Sequence, residues 1–307
     1  MKSKFLLKKN IYFYSKKNNK KCKTHFMLPT ILKLSPNIFR VYYASRNNFN
    51  VSNIFYVDLE FKDNDIIKVK YISKKPSLSH GNLGSFDDNG VLPSSIIKIG
   101  KKIYLFYIGW KPGGTTRYSL IAGLACSNNL GKTFKRVSKS QLLYTNNKEP
   151  YNILTAPSVL KIKKNLFYMW YVSCTEWKNK NLPKYNIKFA YSNNLKSWVQ
   201  TGKVCIKLKR NERAVAKPFV YKDKNYFKMW YCYEKKVGKY KIGYAESKNG
   251  INWIRKDHLV KFNNKIKGID DKMMEYPSLI SHKKKHYMFY NGNNYGKDGF
   301  CIARLIK

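Results

Sequence analysis

Acidic residues are scarce in this chain of 307 residues, in which 17 Asp and Glu stand against 61 Lys and Arg and give a formal net charge of +44. Arginine is scarce too, at 8 of the 61 basic residues. Because sequence-specific nucleic-acid binders use arginine for bidentate contacts to bases and phosphates, we expect no specific nucleic-acid partner. The lysine-rich surface predicts only a weak, salt-sensitive attraction to anionic surfaces.

Membrane-spanning, secretory and metal-binding signals are also missing. No uncharged apolar run reaches about 18 residues, so the sequence predicts no transmembrane segment. The basic N-terminus has only Phe5-Leu6-Leu7 as an apolar stretch, which is too short for a secretory signal. The six cysteines include no C-x-x-C pair and no zinc-type spacing with histidine. We therefore expect a cytoplasmic protein without a metal or a cofactor.

Aromatic residues, in contrast, are abundant at 16%, which is typical of strand-rich chains. They follow a repeat of about 60 residues that is marked by a proline in a short strand-like segment. The repeated prolines, spaced by 64, 64, 61 and 59 residues, are Pro29, Pro93, Pro157, Pro218 and Pro277. An aromatic segment lies 13 or 14 residues after each proline and contains Tyr42, Tyr107, Tyr171, Tyr231 or Tyr290. A turn rich in Lys, Asn and Gly separates the two segments, so each pair predicts a β-hairpin.

A third and a fourth strand follow in the middle repeats. Ala-x-Ser ends the third strand, and a turn rich in Asn and Gly then leads to an aromatic residue that begins the fourth. The three serines and aromatics are Ser127 and Phe134, Ser192 and Trp198, and Ser247 and Trp253. Five such repeats predict an all-β, five-bladed β-propeller with four-stranded antiparallel blades, and a large β-sandwich is the alternative. We expect one propeller over residues 24–307, with residues 1–23 as a basic tail or a blade-closing strand.

The order of hairpin, Ala-x-Ser turn and tryptophan resembles that of the five-bladed propeller glycoside hydrolases of the arabinanase, levansucrase and invertase type. The resemblance is carried by GSFDDNGVLPSSI, EPYNILTAPSV, MWYVS and YKIGYAESKNGINWIRKD. It covers about residues 25–305 and extends to the N-terminal domain of plant glucosamine inositolphosphorylceramide transferases. It implies a propeller fold and chemistry on glycosides, which in this superfamily includes hydrolysis, transglycosylation and phosphorolysis.

Several of the few acidic residues stand an even number of positions before a repeated proline. These residues are Asp87, Glu149, Glu212, Asp271 and Glu275. On a regular strand, period-two alternation would place them on the face of the proline, toward the channel. Glycoside hydrolysis needs two carboxyl groups, and we expect Asp87, Glu149 and Glu212 to be catalytic at one mouth of the channel. The resemblance implies Glu149 as the acid and Asp87 as a base or orienting carboxylate. The alternative is that each acid caps a turn or pairs with a lysine.

Substrate-binding residues are expected beside these acids. Arg46 can clamp a carboxylate or phosphate, and Tyr295 is a loop aromatic suited to a sugar ring. Asp88, Asp271 and Glu275 complete the expected substrate-binding set. The first repeat departs from the hydrolase pattern, because no acid precedes Pro29 and His25 is the one titratable group other than lysine near that place.

The expected function is that of a carbohydrate-active propeller acting on a glycan or glycoconjugate. It would be a glycoside hydrolase or a glycosyl-transfer enzyme, with a place in surface-polysaccharide assembly. The missing first-repeat acid favours the alternative of a non-catalytic glycan-binding or scaffolding propeller. Nucleic-acid binding through the lysine-rich surface is a third hypothesis, and the low arginine count argues against it.

Overall fold

Strands make up most of the chain. The computed structural model describes residues 5–15, 17, 24–262 and 265–306. Its strands, in chain order, are β1 (Phe5–Ser15), β2 (Thr24–Lys33), β3 (Ile38–Arg46), β4 (Ser52–Phe61), β5 (Ile67–Ile72), β6 (Val91–Ile99), β7 (Lys102–Pro112), β8 (Tyr118–Ser127), β9 (Lys135–Arg136), β10 (Ile153–Lys163), β11 (Leu166–Trp177), β12 (Pro183–Ser192), β13 (Val199–Ile206), β14 (Ala214–Asp223), β15 (Tyr226–Glu234), β16 (Lys241–Ser247), β17 (Ile254–Arg255), β18 (Val260–Phe262), β19 (Glu275–His282), β20 (Lys285–Asn291) and β21 (Gly299–Ile306). Short helical turns cover Asp63–Asp65, Asp257–Leu259 and Asn293–Gly296. Within the described ranges, no helix is long and apolar enough to cross a membrane.

Antiparallel pairing joins consecutive strands into groups of four. The groups are β2 to β5, β6 to β9, β10 to β13, β14 to β17, and β19 to β21 together with β1. Short parallel pairings of β8 with β10 and of β12 with β14 link the three middle groups into one 12-stranded sheet. The predicted proline-to-tyrosine hairpins are therefore confirmed as the first two strands of each group.

The N-terminal strand belongs to the last group. β1 pairs antiparallel with β21, from Leu6 opposite Ile306 to Ser15 opposite Gly299, and its start pairs parallel with β18. Of the predicted tail or blade-closing segment, residues 1–4, 16 and 18–23 lie outside the described residues, and Cys22 is among them. The other cysteines, all within the described chain, are free thiols.

The first strands of the groups form a closed ring. β2 contacts β6, β6 contacts β10, β10 contacts β14, β14 contacts β19, and β19 contacts β2 again. Buried side chains fill the space between neighbouring groups, including Trp170 and Trp230. These tryptophans pack in the core, as expected for aromatic side chains in the second strands.

The backbone is bent at the repeated prolines. The residue before the proline has a positive φ in four of the five strands: Leu28 at 54°, Ala156 at 49°, Lys217 at 48° and Tyr276 at 56°. Strand pairing shifts register at each of these places. Such bulges leave residues out of the ladder and redirect them. Here they turn the residues before the prolines toward the centre of the ring.

Serine hydroxyls hold the turns after the third strands. Ser127 accepts hydrogen bonds from the Asn129 and Gly131 amides at 3.2 and 3.0 Å. Ser192 and Ser247 accept equivalent bonds in their own turns. The recurring Ala-x-Ser motif thus supplies the acceptor that each tight turn needs.

Candidate functional site

A cavity of about 460 Å³ lies inside the ring of first strands. Its wall includes the residue that precedes each repeated proline. These residues are Leu28, Leu92, Ala156, Lys217 and Tyr276. Because the five strands converge on one space, each repeat contributes side chains to a single concave site. The volume falls in the range of pockets that bind small ligands, roughly 300–1,000 Å³.

Aromatic side chains form much of the cavity wall. They are Trp110, Tyr118, Tyr185, Tyr240, Tyr276 and Tyr295. The hydroxyl oxygens of Tyr185 and Tyr240 are 2.9 Å apart and share a hydrogen bond. The rings of Trp110 and Tyr118 lie against each other with centroids 6.4 Å apart. Flat rings with polar edges suit the apolar face and the hydroxyl groups of a sugar.

Hydrogen-bonding side chains complete the neutral part of the wall. They are Asn50, Ser52, Asn89, Thr155 and Asn181. Amides and hydroxyls can both donate and accept, as a polyhydroxylated ligand requires.

The charged residues of the wall are all cations. Arg46 ends β3, Arg117 precedes β8, Arg213 precedes β14, and Lys217 lies on β14. No Asp or Glu of the described chain lines the cavity. The electrostatic character of the site is therefore positive, and it comes mainly from arginine in a chain where arginine is rare.

Arg213 is the neutralised member of this set. Its guanidinium forms a salt bridge with the buried Glu234 and donates a hydrogen bond to the Pro183 carbonyl at 2.6 Å. It also lies over the Tyr185 ring, 5.4 Å from the centroid. Because it is fixed on three sides, Arg213 is well placed to hold the aromatic wall in position.

Lys217 extends across the ring of strands. Its ammonium donates a hydrogen bond to the Ser94 carbonyl on β6 at 2.8 Å, and the residue is 1% exposed. Burial lowers the pKa of Lys217 to about 8. The side chain is thus mainly a cation at neutral pH, although no carboxylate of the described chain pairs with it.

The predicted catalytic residue Asp87 lies in the loop before β6 and does not line the cavity. It is 1% exposed. Its carboxylate accepts hydrogen bonds from Arg136 Nε at 2.8 Å, Tyr107 at 3.0 Å and Ser85 at 2.9 Å. These contacts tie the loop before the first strand to the second and fourth strands of the same group. All the described side-chain contacts of Asp87 are within this network, and its predicted catalytic role stays a prediction.

Glu149 has the equivalent place in the next group. It accepts hydrogen bonds of 2.7 Å from both Tyr171 and Gln200, and the Lys188 ammonium lies 3.3 Å from its second carboxylate oxygen. Burial alone would raise the pKa of the Glu149 carboxyl, but the bonds from Gln200 and Tyr171 and the charge of Lys188 lower it below its ordinary value. A depressed pKa does not suit the predicted role as a proton donor.

Glu212 repeats the arrangement once more. Arg255 donates two hydrogen bonds to it, at 2.7 and 2.8 Å, and also bonds to Asp257 at 3.0 Å. Tyr231 donates to the same Asp257 carboxylate. Each of three successive groups of strands thus has its own network, which joins a buried acid before the first strand, a tyrosine of the second strand and a side chain from the outer part of the same group. The structure corrects the expectation that these acids face the channel, because Asp87, Glu149 and Glu212 lie in loops before the strands, where the alternation of a regular strand does not apply.

The remaining predicted residues divide into two sets. Arg46 and Tyr295 line the cavity. Asp88 does not, since it accepts a hydrogen bond from the Gly84 amide at 2.9 Å and pairs with Lys111 at 3.4 Å. Asp271 accepts bonds from Asn293 at 2.7 Å and from the Gly268 amide at 3.0 Å, which hold a turn.

His25 also lies outside the cavity wall. Burial, with smaller contributions from the charges of Arg46 and Lys297, lowers the pKa of His25 to about 4, so its ring is neutral at pH 7. Its ring nitrogen is 2.8 Å from the Thr24 hydroxyl. His25 therefore adds no charge to the cavity and hydrogen-bonds to its neighbour in β2.

Glu275 does not line the cavity but is buried next to it in sequence. It begins β19, is fully buried, and directly precedes the cavity residue Tyr276. Burial raises the pKa of the Glu275 carboxyl well above its ordinary value, against a smaller opposing effect of the Tyr276 hydroxyl. The folded protein therefore favours the protonated acid at this position.

This shift predicts a distinctive pH dependence for the variant Glu275→Gln. The folded protein retains a proton that the unfolded chain releases above about pH 4.5, so wild-type stability falls as the pH rises from there toward the folded-state pKa. Glutamine does not titrate. We expect the stability of the variant relative to wild type to increase by up to about 1.4 kcal/mol per pH unit across that range. Urea unfolding at pH 4.5, 6 and 8 measures this difference, and a difference that stays constant with pH would contradict the burial argument.

Sequence reasoning missed Arg117, Arg213 and Lys217. A signal was available for Lys217, since the residues before the other repeated prolines are uncharged. A signal was also available in the arginines. Of the eight, Arg40, Arg136, Arg255 and Arg304 pair with carboxylates outside the cavity, and three of the remaining four line it.

Comparison with known proteins gives relatives at two levels. No protein-family model matches the chain. Two uncharacterized proteins of Mycobacterium tuberculosis, from strains H37Rv and CDC 1551, are each 29% identical to it over 287 residues, covering 92% of this chain and 93% of the relative.

Solved structures share the fold at lower identity. A glycoside hydrolase superimposes with a TM-score of 0.71 at 17% identity, covering 92% of this chain and 88% of that one. A thermostable family-43 glycoside hydrolase gives 0.65 at 18% identity, covering 92% and 89%. An endo-arabinase from Bacteroides thetaiotaomicron gives 0.62 at 16% identity, covering 93% and 96%. The predicted likeness to propeller glycoside hydrolases is confirmed at the level of fold, while the likeness to the plant transferase domain stays a prediction.

Proposed function

We propose that this chain is a five-bladed β-propeller whose central cavity binds a sugar of a glycan or glycoconjugate. The blades are the five groups of four strands, and the closed contact ring of their first strands supports that count. The observation that supports sugar binding is the composition of the central cavity, whose wall combines six aromatic rings with amide and hydroxyl side chains. This combination suits the alternating apolar and hydroxylated surfaces of sugars.

The geometry favours recognition over hydrolysis. Glycoside hydrolysis by the usual route places two carboxyl groups roughly 5 to 10 Å apart on either side of the scissile bond. In the described chain no carboxylate lines the cavity, and the three predicted catalytic acids are engaged in buried networks. The first repeat has no acid before its proline. Glycan binding without turnover is therefore the function that the site supports best.

A second candidate rests on Glu275. A buried carboxyl that favours its protonated form, adjacent in sequence to the cavity residue Tyr276, has the property required of a general acid. It would serve hydrolysis or glycosyl transfer. A screen of activated glycosides, with and without phosphate, tests this candidate. Turnover that Glu275→Gln abolishes would support it, and no turnover in any condition would leave binding as the function.

The aromatic wall predicts the outcome of two substitutions on glycan binding. Trp110→Ala and Tyr295→Ala each remove a ring from the cavity, and we expect each to weaken binding of a captured glycan by about tenfold. Tyr226→Ala is the matched control, because Tyr226 is 41% exposed and lies outside the cavity. A glycan array followed by calorimetry measures the effect. If both cavity variants bind as wild type does, the sugar does not occupy this cavity.

A further inference from the structure

The cavity contains more positive charge than its own structure neutralises. Arg46, Arg117, Arg213 and Lys217 line it, and Glu234 neutralises Arg213 alone. Across the described residues, no carboxylate lies in salt-bridge distance of Arg46, Arg117 or Lys217. The Arg46 guanidinium donates a long hydrogen bond to the Met27 sulfur, at 3.8 Å. A neutral sugar would leave these three cations without a counter-charge.

Holding these cations together is unfavourable without a ligand. Burial lowers the pKa of Arg46; Tyr276 opposes this shift, and the charge of the neighbouring Arg117 adds a smaller lowering effect. Lys217 is buried without a carboxylate. Buried or facing like charges cost free energy unless an opposite charge compensates them. An anion between Arg46 and Arg117 would remove both the repulsion and part of the desolvation cost.

The composition of the chain supports a selected role for these arginines. Lysine outnumbers arginine 53 to 8, so a position that required only positive charge would be filled by lysine in most cases. Arginine differs from lysine in its planar fork of N–H donors, which matches the oxygens of a carboxylate or phosphate. Arg46 and Arg117 thus have the chemistry that oxyanion recognition needs.

We infer that the sugar bound in the central cavity carries an oxyanion, either a phosphate or a carboxylate, which Arg46 and Arg117 hold while Lys217 supplies charge from the cavity wall. The inference rests on the proposed glycan-binding function and specifies the substrate class. The aromatic residues Trp110 and Tyr295 contact the sugar ring, and the arginines select its charged substituent. The rest of the lysine-rich surface attracts anions without this selection.

The test is a glycan array that pairs neutral glycans with their uronic-acid and phosphorylated counterparts, probed with the 307-residue chain at 0.15 and 0.5 M NaCl. We expect the retained glycans to carry a phosphate or a carboxylate. Stronger retention of the phosphorylated or of the uronic-acid glycans identifies which of the two groups the site binds. Arg46→Gln and Arg117→Gln should each reduce affinity by about 10- to 100-fold. Arg46→Lys should restore only part of the loss, since it returns the charge without the fork. Arg210→Gln, at an exposed arginine outside the cavity, is the control and should bind as wild type does.

The outcomes separate this inference from the proposed function. Neutral glycans that bind as tightly as anionic ones, with no effect of Arg46→Gln or Arg117→Gln, would overturn the oxyanion inference and leave glycan binding intact. Binding of anionic glycans that disappears at 0.5 M NaCl equally in all variants would assign the attraction to surface lysines and also overturn it. Retention of no glycan in any arm would overturn both proposals.

Discussion

Arg255→Met should lower the free energy of unfolding by about 3–5 kcal/mol. The Arg255 side chain is 11% exposed, and it pairs with Glu212, which is 2% exposed. It also pairs with Asp257. Its removal leaves the buried Glu212 carboxylate without a cation, while Asp257 retains Lys209 and Tyr231 as partners. Since domains of this kind are stable by roughly 5–15 kcal/mol, the loss would be a large share of the total.

The control for this prediction is Arg304→Met. Arg304 pairs with Asp65 at 2.6 Å, but its side chain is 29% exposed, and Asp65 retains Lys285 and Tyr287 as partners. We expect a loss below about 1 kcal/mol. Urea unfolding of both variants measures the effects. Equal losses in the two variants would show that the buried network around Arg255 has no special importance.

Glu149→Gln should destabilise the fold by about 2–4 kcal/mol, even if the protein proves to have no catalytic activity. The substitution leaves the Lys188 ammonium, 8% exposed, without its carboxylate partner. The Tyr171 hydroxyl and the Gln200 amide both donate to one carboxylate oxygen, so the amide nitrogen of the variant would replace the other oxygen and face the Lys188 ammonium, donor against donor. The sequence alone predicts a catalytic acid at this position, whose amide variant would keep its stability. The structure therefore predicts the opposite result.

Glu176→Gln is the matched control. Glu176 also pairs with a lysine, Lys184, at 2.7 Å, but its side chain is 47% exposed. We expect a much smaller loss than for Glu149→Gln, because solvent screens an exposed ion pair. The double variant Glu149→Gln with Lys188→Met should recover part of the loss, because it removes the unpaired ammonium. A Glu149→Gln protein as stable as wild type would restore the case for a functional carboxylate at this place.

The sequence predicted the fold well because the repeated residues each determine a strand or a turn close to their own position in the chain. Each proline marks a first strand, each aromatic segment a second strand, and each Ala-x-Ser a turn whose serine hydroxyl accepts the turn amides. These signals act within about 30 residues, so spacing alone reveals them. The bulges before the prolines could not be predicted, because they depend on packing around the central cavity.

The site was less accessible to sequence reasoning. The acids were assigned to the channel by alternation, but Asp87, Glu149 and Glu212 precede their strands and turn back to the outer strands. Cavity residues such as Arg117 and Tyr240 are brought together from separate groups by closure of the ring. No local pattern marks such residues. The rarity of arginine pointed toward Arg46 and Arg117, and the single charged residue before a repeated proline pointed toward Lys217.

The most direct test of the account is a crystal structure of the protein with a glycan captured on the array. We predict the sugar in the central cavity against Trp110 and Tyr295, with a phosphate or carboxylate oxygen within hydrogen-bond distance, about 3 Å, of the Arg46 and Arg117 guanidinium groups. A glycan bound on the outer lysine surface, with the cavity holding no part of it, would contradict the account.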